Sequence, residues 1–268
     1  MSPPFFAPLL SRHCAAWLLA AVPACALAQR SEPNPVTLEV VGTQGRLSAG
    51  LPNAHAASAR ATWLLGGGDV ARAEWLDERK FGSRGGVAGG GYTRVLSPDW
   101  LVAGTLLFGH GGPNWATTRV DVEAAKKWGE QRDIVTRAAL YHASFVANRS
   151  DRGLRLAVAS YLPSSIVLEA GVTFNRSDPG GVRSSMPFAS ATFGNEGNQY
   201  FSLRASSGSE AYQPIGAGQP LVDFHSRSIG ADWRRWFGPR WGLIAQAESY
   251  RNPSYRRTTL GAGAFAQW

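Results

Sequence analysis

Cysteine is nearly missing from this chain: Cys14 and Cys25 are the only two, and both fall within the first 28 of 268 residues. No apolar run reaches the roughly 20 residues that a membrane-spanning helix requires. Histidine is sparse beyond the N-terminal segment, at His55, His110, His142 and His225. No two of these stand at metal-ligand spacing, and neither HExxH nor CxxC occurs, so no metal and no cofactor is expected. The glycine runs Gly66-Gly67-Gly68 and Gly85 to Gly91 lack the lysine-serine ending of a phosphate-binding loop. They read instead as bends or close backbone approaches in a sheet.

What stands at the start is an export leader. Arg12 supplies a positive n-region, Cys14 to Val22 an apolar stretch, and Ala26-Leu27-Ala28 a small-x-small cleavage pattern. The expected division is a signal peptide over 1–28 and a mature domain over 29–268. Removing the leader takes both cysteines with it, which excludes a disulfide scaffold, a cysteine zinc site and a cysteine nucleophile. A competing pattern, Val22-Pro23-Ala24-Cys25, would leave Cys25 acylated, but proline before the small residue makes it the poorer site. The chain carries a formal charge of +8, of which Arg12 contributes one. An exported basic surface points to anionic partners such as lipopolysaccharide phosphates and away from nucleic acid.

The remainder reads as strands. Val120, Val122 and Ala124 alternate with Arg119, Asp121, Glu123 and Lys127; Leu154, Leu156 and Val158 stand opposite Arg155 and Tyr161. Ile166, Leu168, Ala170, Val172 and Phe174 oppose Glu169, Thr173 and Asn175, and Phe201, Leu203 and Ala205 oppose Arg204. Breaks at Gly, Pro, Asn and Asp predict strands over 37–49, 56–66, 70–80, 86–96, 100–109, 117–128, 134–147, 153–162, 165–175, 186–194, 199–208, 222–237, 241–250 and 255–268. The count is fourteen, with twelve also compatible. It is even, as a bacterial outer-membrane barrel wants, and the segments are near the 9–11 residues a tilted spanning strand needs. With a periplasmic N-terminus, the predicted inner turns are short and the longest outer connections are 176–185 and 209–221.

Period-two alternation alone does not separate a soluble sandwich from a membrane barrel. The aromatics point to the membrane: Trp100, Trp128, Trp236, Phe237, Trp241, Tyr250 and Tyr255 fall at predicted strand ends, where an interfacial girdle is expected. The last predicted strand closes on Trp268, an ending similar to the C-terminal signal read by the barrel-assembly machinery. Closure pairs the first strand with the last and leaves no sheet edge in lipid. The expected fold is therefore all-β, a transmembrane antiparallel barrel of 12–14 strands in the outer membrane of a Gram-negative bacterium. Its inward charges Arg119, Asp121, Glu123, Lys127, Arg155, Glu169 and Arg204 are expected to form a lumen network.

Lys80-Phe81-Gly82, Gly89-Gly90-Gly91-Tyr92-Thr93-Arg94, Ser97-Pro98-Asp99-Trp100, Arg227-Ser228-Ile229-Gly230, Trp233 and Phe237-Gly238-Pro239-Arg240-Trp241 together resemble the YaiO-type outer-membrane β-barrel family. The resemblance implies localisation and fold, and brings no reaction and no catalytic residues.

Two kinds of candidate site remain. Arg149 and Arg152 are expected in one outer loop and Arg176 and Arg183 in another, at the height of lipopolysaccharide head groups, where arginine's planar fork suits phosphate oxygens. The alternative is an enzyme: His142 and Ser144 share one strand face, so imidazole is positioned to take the serine proton for attack on an ester of lipid A or phospholipid. This resembles the His-x-Ser pair of outer-membrane lipid A deacylases. Tyr141 and Phe145 on the opposite face would send the pair to the lumen, while Arg137 beside them argues for the reverse.

Overall fold

The computed structural model describes residues 36–215 and 220–268; the expected leader, its cleavage sites and both cysteines lie outside them. Fourteen strands follow in order: β1 (Val36–Leu47), β2 (Ala54–Leu64), β3 (Val70–Lys80), β4 (Ser83–Val95), β5 (Trp100–His110), β6 (Thr118–Trp128), β7 (Ile134–Ser144), β8 (Ser150–Leu162), β9 (Ile166–Asp178), β10 (Val182–Asn195), β11 (Gln199–Gln213), β12 (Leu221–Gly238), β13 (Trp241–Arg251) and β14 (Arg256–Gln267). Each pairs antiparallel with its sequence neighbours, and β1 closes on β14 from Thr37↔Gln267 to Leu47↔Arg257. No described helix is long and apolar enough to cross a membrane.

Side-chain alternation decides what each face meets. On β6, Arg119, Asp121, Glu123 and Lys127 are buried inside the barrel, while Val120 and Val122 are exposed on its outer wall. Leu140, Leu156, Leu168, Leu203, Ile229 and Leu260 are likewise exposed and outward. A soluble protein with that wall would aggregate; in lipid the same wall is solvated and the closed ladder satisfies every backbone group.

Apolar side chains pack inside the barrel towards both of its ends. At the end carrying both termini, Val41, Tyr200, Trp236, Ile244 and Phe265 form one buried cluster. At the opposite end Phe81, Tyr250 and Tyr255 pack with Leu47, Leu51 and Ile215, and Trp115 packs with Val87 and Leu107. Glycines make room for inward rings. Tyr141 lies across Gly153, Phe188 across Gly171 and Phe265 across Gly242, each on the directly opposed residue of the neighbouring strand. A Cβ on any of the three would sit 2.6 Å or less from the ring. Each ring in turn carries a guanidinium: Arg119 over Tyr141, Arg155 over Phe188 and Arg234 over Phe265 at 4.4, 4.3 and 3.9 Å.

Gly171→Val is therefore expected to push Phe188 and Arg155 out of place and cost about 1–3 kcal/mol. The control is Gly42→Val, an outward position with open space around it. Urea unfolding from lipid vesicles measures both, and equal losses would mean that the glycine cradles carry no packing role.

Several expectations are corrected. The predicted outer connection 176–185 is only a turn at 179–181, because β9 and β10 extend beyond the bilayer-length segments read from the sequence. The long β11 shortens the other connection to 214–220. Trp236, Tyr250 and Tyr255 are not girdle residues: strand parity turns Trp236 and Tyr250 inward and Tyr255 packs inward from the turn before β14, so that they are 8, 1 and 3 % exposed. Trp100, Trp128, Phe237 and Trp241 are exposed on the wall as expected, joined by Trp63, Tyr92 and Trp268 near the same end.

Candidate functional site

All seven predicted lumen charges point inward. Arg119 donates two hydrogen bonds to Asp121, at 2.7 and 2.6 Å, while Arg155 and Arg137 both reach Glu169, at 2.8 and 3.6 Å. Arg204 donates to Asp232 on β12. Glu123 does not pair with Lys127 on its own strand; its field comes from Arg137 on β7, Arg155 on β8 and, across the lumen, Arg72 on β3. Sequence pattern missed the strongest knot, in which Arg234 donates to Glu39 and, at 3.0 Å, to the Tyr200 hydroxyl while Arg60 approaches Glu39 at 3.6 Å. Glu39 and Arg234 are two strands removed from one another across β13 and β14, so no local spacing reveals them. Outside the strands, the Tyr92 hydroxyl and the Val95 amide hold the Asp69 carboxyl below the usual carboxylate range.

Arg149 is not a loop cation free for phosphate. It is 7 % exposed, stacks on Phe145 at 3.4 Å and on Tyr212 at 4.8 Å, pairs with Asp151, and donates to the Pro113 carbonyl. It ties the β5–β6 and β7–β8 loops to β11 at the loop end of the lumen. Beside it β11 loses its alternation: Glu210, Ala211 and Gln213 are all buried, and Glu210 accepts from Ser226 and Tyr250.

Arg152, Arg176 and Arg183, unlike Arg149, lie on strands rather than in loops, on β8, β9 and β10, all exposed on the outer wall. The register sets them side by side, Arg152↔Arg176 and Arg176↔Arg183. Asp178 neutralises part of the row, accepting from Arg152 at 2.9 Å and facing Arg176 at 3.6 Å.

His142 and Ser144 face outward, not into the lumen; Arg137 on the opposite face was the correct guide, since Tyr141 stacks inside against Arg119. Ser144 Oγ is 3.4 Å from His142 Nε2. Their cross-strand neighbours are Val120 and Arg152 beside His142, and Thr118 and Ser150 beside Ser144. None of these four is a carboxylate, and a guanidinium next to the imidazole opposes the imidazolium that serine activation needs. His55, His110 and His225 are exposed on β2, β5 and β12 at the same end. No group of three metal-ligating side chains occurs among the described residues.

A closed wall of fourteen antiparallel strands, apolar outside and charged within, defines a transmembrane β-barrel of the outer-membrane kind. Residues 37–213 match the YaiO membrane beta barrel domain, and the chain belongs to that family. No curated protein matches the sequence. Among solved structures the chain is similar to a bacterial polysaccharide outer membrane secretin, with a TM-score of 0.57 and 10 % identity over 89 % of this chain and 100 % of that one. It is also similar to a loop-deletion mutant of OmpT, an outer membrane protein of Vibrio cholerae, with a TM-score of 0.51 and 7 % identity over 87 % of this chain and 98 % of that one. At such identities the likeness concerns the fold alone.

Proposed function

We propose that this protein is a non-enzymatic barrel of the Gram-negative outer membrane, exported by its leader, with a cross-paired charged interior as rigid support and an outward arginine surface that binds lipopolysaccharide phosphates. The observation that carries this reading is the register of Arg152, Arg176 and Arg183, three exposed guanidinia on adjacent strands with one carboxylate, Asp178, against the first two. Their height fits. From Arg152 to Leu162 is ten residue steps along β8; at ~3.3 Å per residue and a tilt of roughly 35–45°, that is about 25 Å, the thickness of the apolar band. Arginine's fork donates to phosphate oxygens in pairs. The short turns at the end where β1 begins and β14 finishes favour a periplasmic placement of that end, and β14, with Trp268 following it, is suited to engage the barrel-assembly machinery.

The test compares the native barrel with a variant carrying Gln at Arg152, Arg176 and Arg183, by lipopolysaccharide binding and planar-bilayer recording. The expected result is weaker lipopolysaccharide binding by about tenfold and little conductance from either protein. Unchanged binding, or anion conductance that the substitutions alter, would replace this reading by an anion pore.

A second reading rests on Ser144 Oγ standing 3.4 Å from His142 Nε2 on the lipid side: an ester hydrolase acting on lipid A or phospholipid. With no orienting carboxylate among the pair's four cross-strand neighbours, Ser144→Ala is expected to leave acyl release unchanged. Loss of a measurable acyl release in that variant would instead establish the hydrolase.

A further inference from the structure

Past β11, further round the wall, a second arginine row exists that strand sequences read singly do not show. Arg227 of β12 stands opposite Arg251 of β13, and Arg251 stands opposite Arg256 of β14. All three are exposed and outward, as is Arg46 of β1. Thr258 is the cross-strand partner of Arg46, two residues along β14 from Arg256, so Arg46 extends the row diagonally. Unlike the row on β8–β10, this one contains no shared carboxylate: none of the four arginines makes an ion pair among the described residues. Asp223, four residues beyond Arg227 towards the strand tip, is an exposed carboxylate on the same strand.

Like charges directly opposed on a sheet destabilise it, so three guanidinia in register without a counter-charge need an external anion to offset their repulsion. Position specifies its kind. Ten residue steps separate Arg251 from Trp241, the exposed aromatic at the other end of β13. That again is about 25 Å of height, one apolar band. Between the row and the aromatics the outward residues of β12–β14 include Ile229, Leu243 and Leu260, all exposed. Side chains below the row therefore meet acyl chains and the row meets head groups. Adjacent strands lie ~4.8 Å apart, so three guanidinia span about 10 Å across the wall, enough to engage more than one phosphate.

We propose that Arg227, Arg251 and Arg256, extended by Arg46, form a lipid-phosphate site of the outer leaflet, taking a multiply phosphorylated lipid head group such as that of lipopolysaccharide. This rests on the membrane placement argued above but not on the β8–β10 row. Serine and threonine at Ser207, Ser249 and Thr258 flank the row and supply hydroxyl donors for the remaining oxygens. Because the cations lie at a fixed spacing on paired strands, the bound head group would restrain β12, β13 and β14 together, next to the seam where β14 meets β1.

The experiment uses the refolded full barrel in detergent and measures affinity for three probes: lipopolysaccharide, the same lipid after removal of its phosphates, and inorganic phosphate. The Arg227→Gln, Arg251→Gln, Arg256→Gln variant is expected to lose at least tenfold in lipopolysaccharide affinity and nothing towards the dephosphorylated lipid. The corresponding triple lysine variant is expected to recover part of the loss, showing that charge and not fold has changed. Heat-modifiable migration should stay native-like in both. Unchanged affinity in the glutamine variant overturns the proposal even if the Arg152, Arg176 and Arg183 variant binds weakly. Loss in the β8–β10 variant is judged separately, so the two sites fail independently. Equal affinity of the native protein for inorganic phosphate and for lipopolysaccharide overturns the lipid assignment and leaves a free-phosphate site.

Discussion

Replacing Arg234 by alanine is expected to cost the barrel about 3 kcal/mol, near the lower end of the 3–5 kcal/mol that follows from stranding one partner of a buried ion pair. Arg234 donates to Glu39 and to the Tyr200 hydroxyl, and its guanidinium lies 3.9 Å from the Phe265 ring. Its removal leaves the Glu39 carboxylate beside the aromatic cluster of Tyr200, Trp236 and Phe265 with Arg60, at 3.6 Å, and the more distant Arg72 to balance it. Urea unfolding from lipid vesicles measures the loss. The double variant Arg234→Ala, Glu39→Gln should regain part of it, because the stranded charge goes with its partner. Arg235→Ala, an outward and exposed neighbour, is the comparison; an equally small effect at both positions would mean that the lumen network adds nothing to stability.

Lysine on the outer wall should be nearly as damaging. Val122 and Leu168 are 59 and 43 % exposed, both to the side that meets hydrocarbon. Val122→Lys and Leu168→Lys are each expected to cost roughly 2–4 kcal/mol, the range for a cation near the bilayer midplane. Thr173→Lys on the inner face of β9 should cost less, since its ammonium enters the polar lumen rather than hydrocarbon and Glu169 offsets part of the repulsion from Arg155, its cross-strand partner. Equal costs on the two faces would contradict the wall assigned to lipid.

The same face logic shows where reading the sequence succeeds and where it stops. Alternation on β6, β8, β9 and β11 is visible in the residues themselves because side-chain period in a strand is two and each face has one solvent. All seven inward charges were legible for that reason. Trp236 was not: an aromatic at a strand end satisfies an interfacial girdle and a lumen cluster equally well, and one step of parity relative to Phe237 decides between them. Tyr250 fails for the same reason, and Tyr255 packs inward from the turn before β14. His142 and Ser144 were placed against a conflict between aromatic and cationic neighbours, and the cation–π contact of Arg119 with Tyr141 resolves it, since stacked on a guanidinium a tyrosine belongs among charges.

The candidate sites divide along the same line. That basic residues gather near one set of strand ends was readable from Arg149, Arg152, Arg176 and Arg183, but their partners were not. Arg149 turned out to be occupied because Phe145, Asp151 and Tyr212 converge on it from β7–β8 and β11. Arg227, Arg251 and Arg256 lie up to 29 positions apart in sequence, and nothing in that spacing says they are neighbours.

By itself, then, the chain determined a strand-rich wall with one apolar and one polar face, its twelve to fourteen segments and the sense in which its seven inward charges point, because these follow from local alternation and turn chemistry. Only the tertiary structure decided which cations have counter-charges and which stand in unpaired rows. That depends on inter-strand register, a relation between distant segments fixed when β1 closes on β14 and every backbone group in the wall must find its partner.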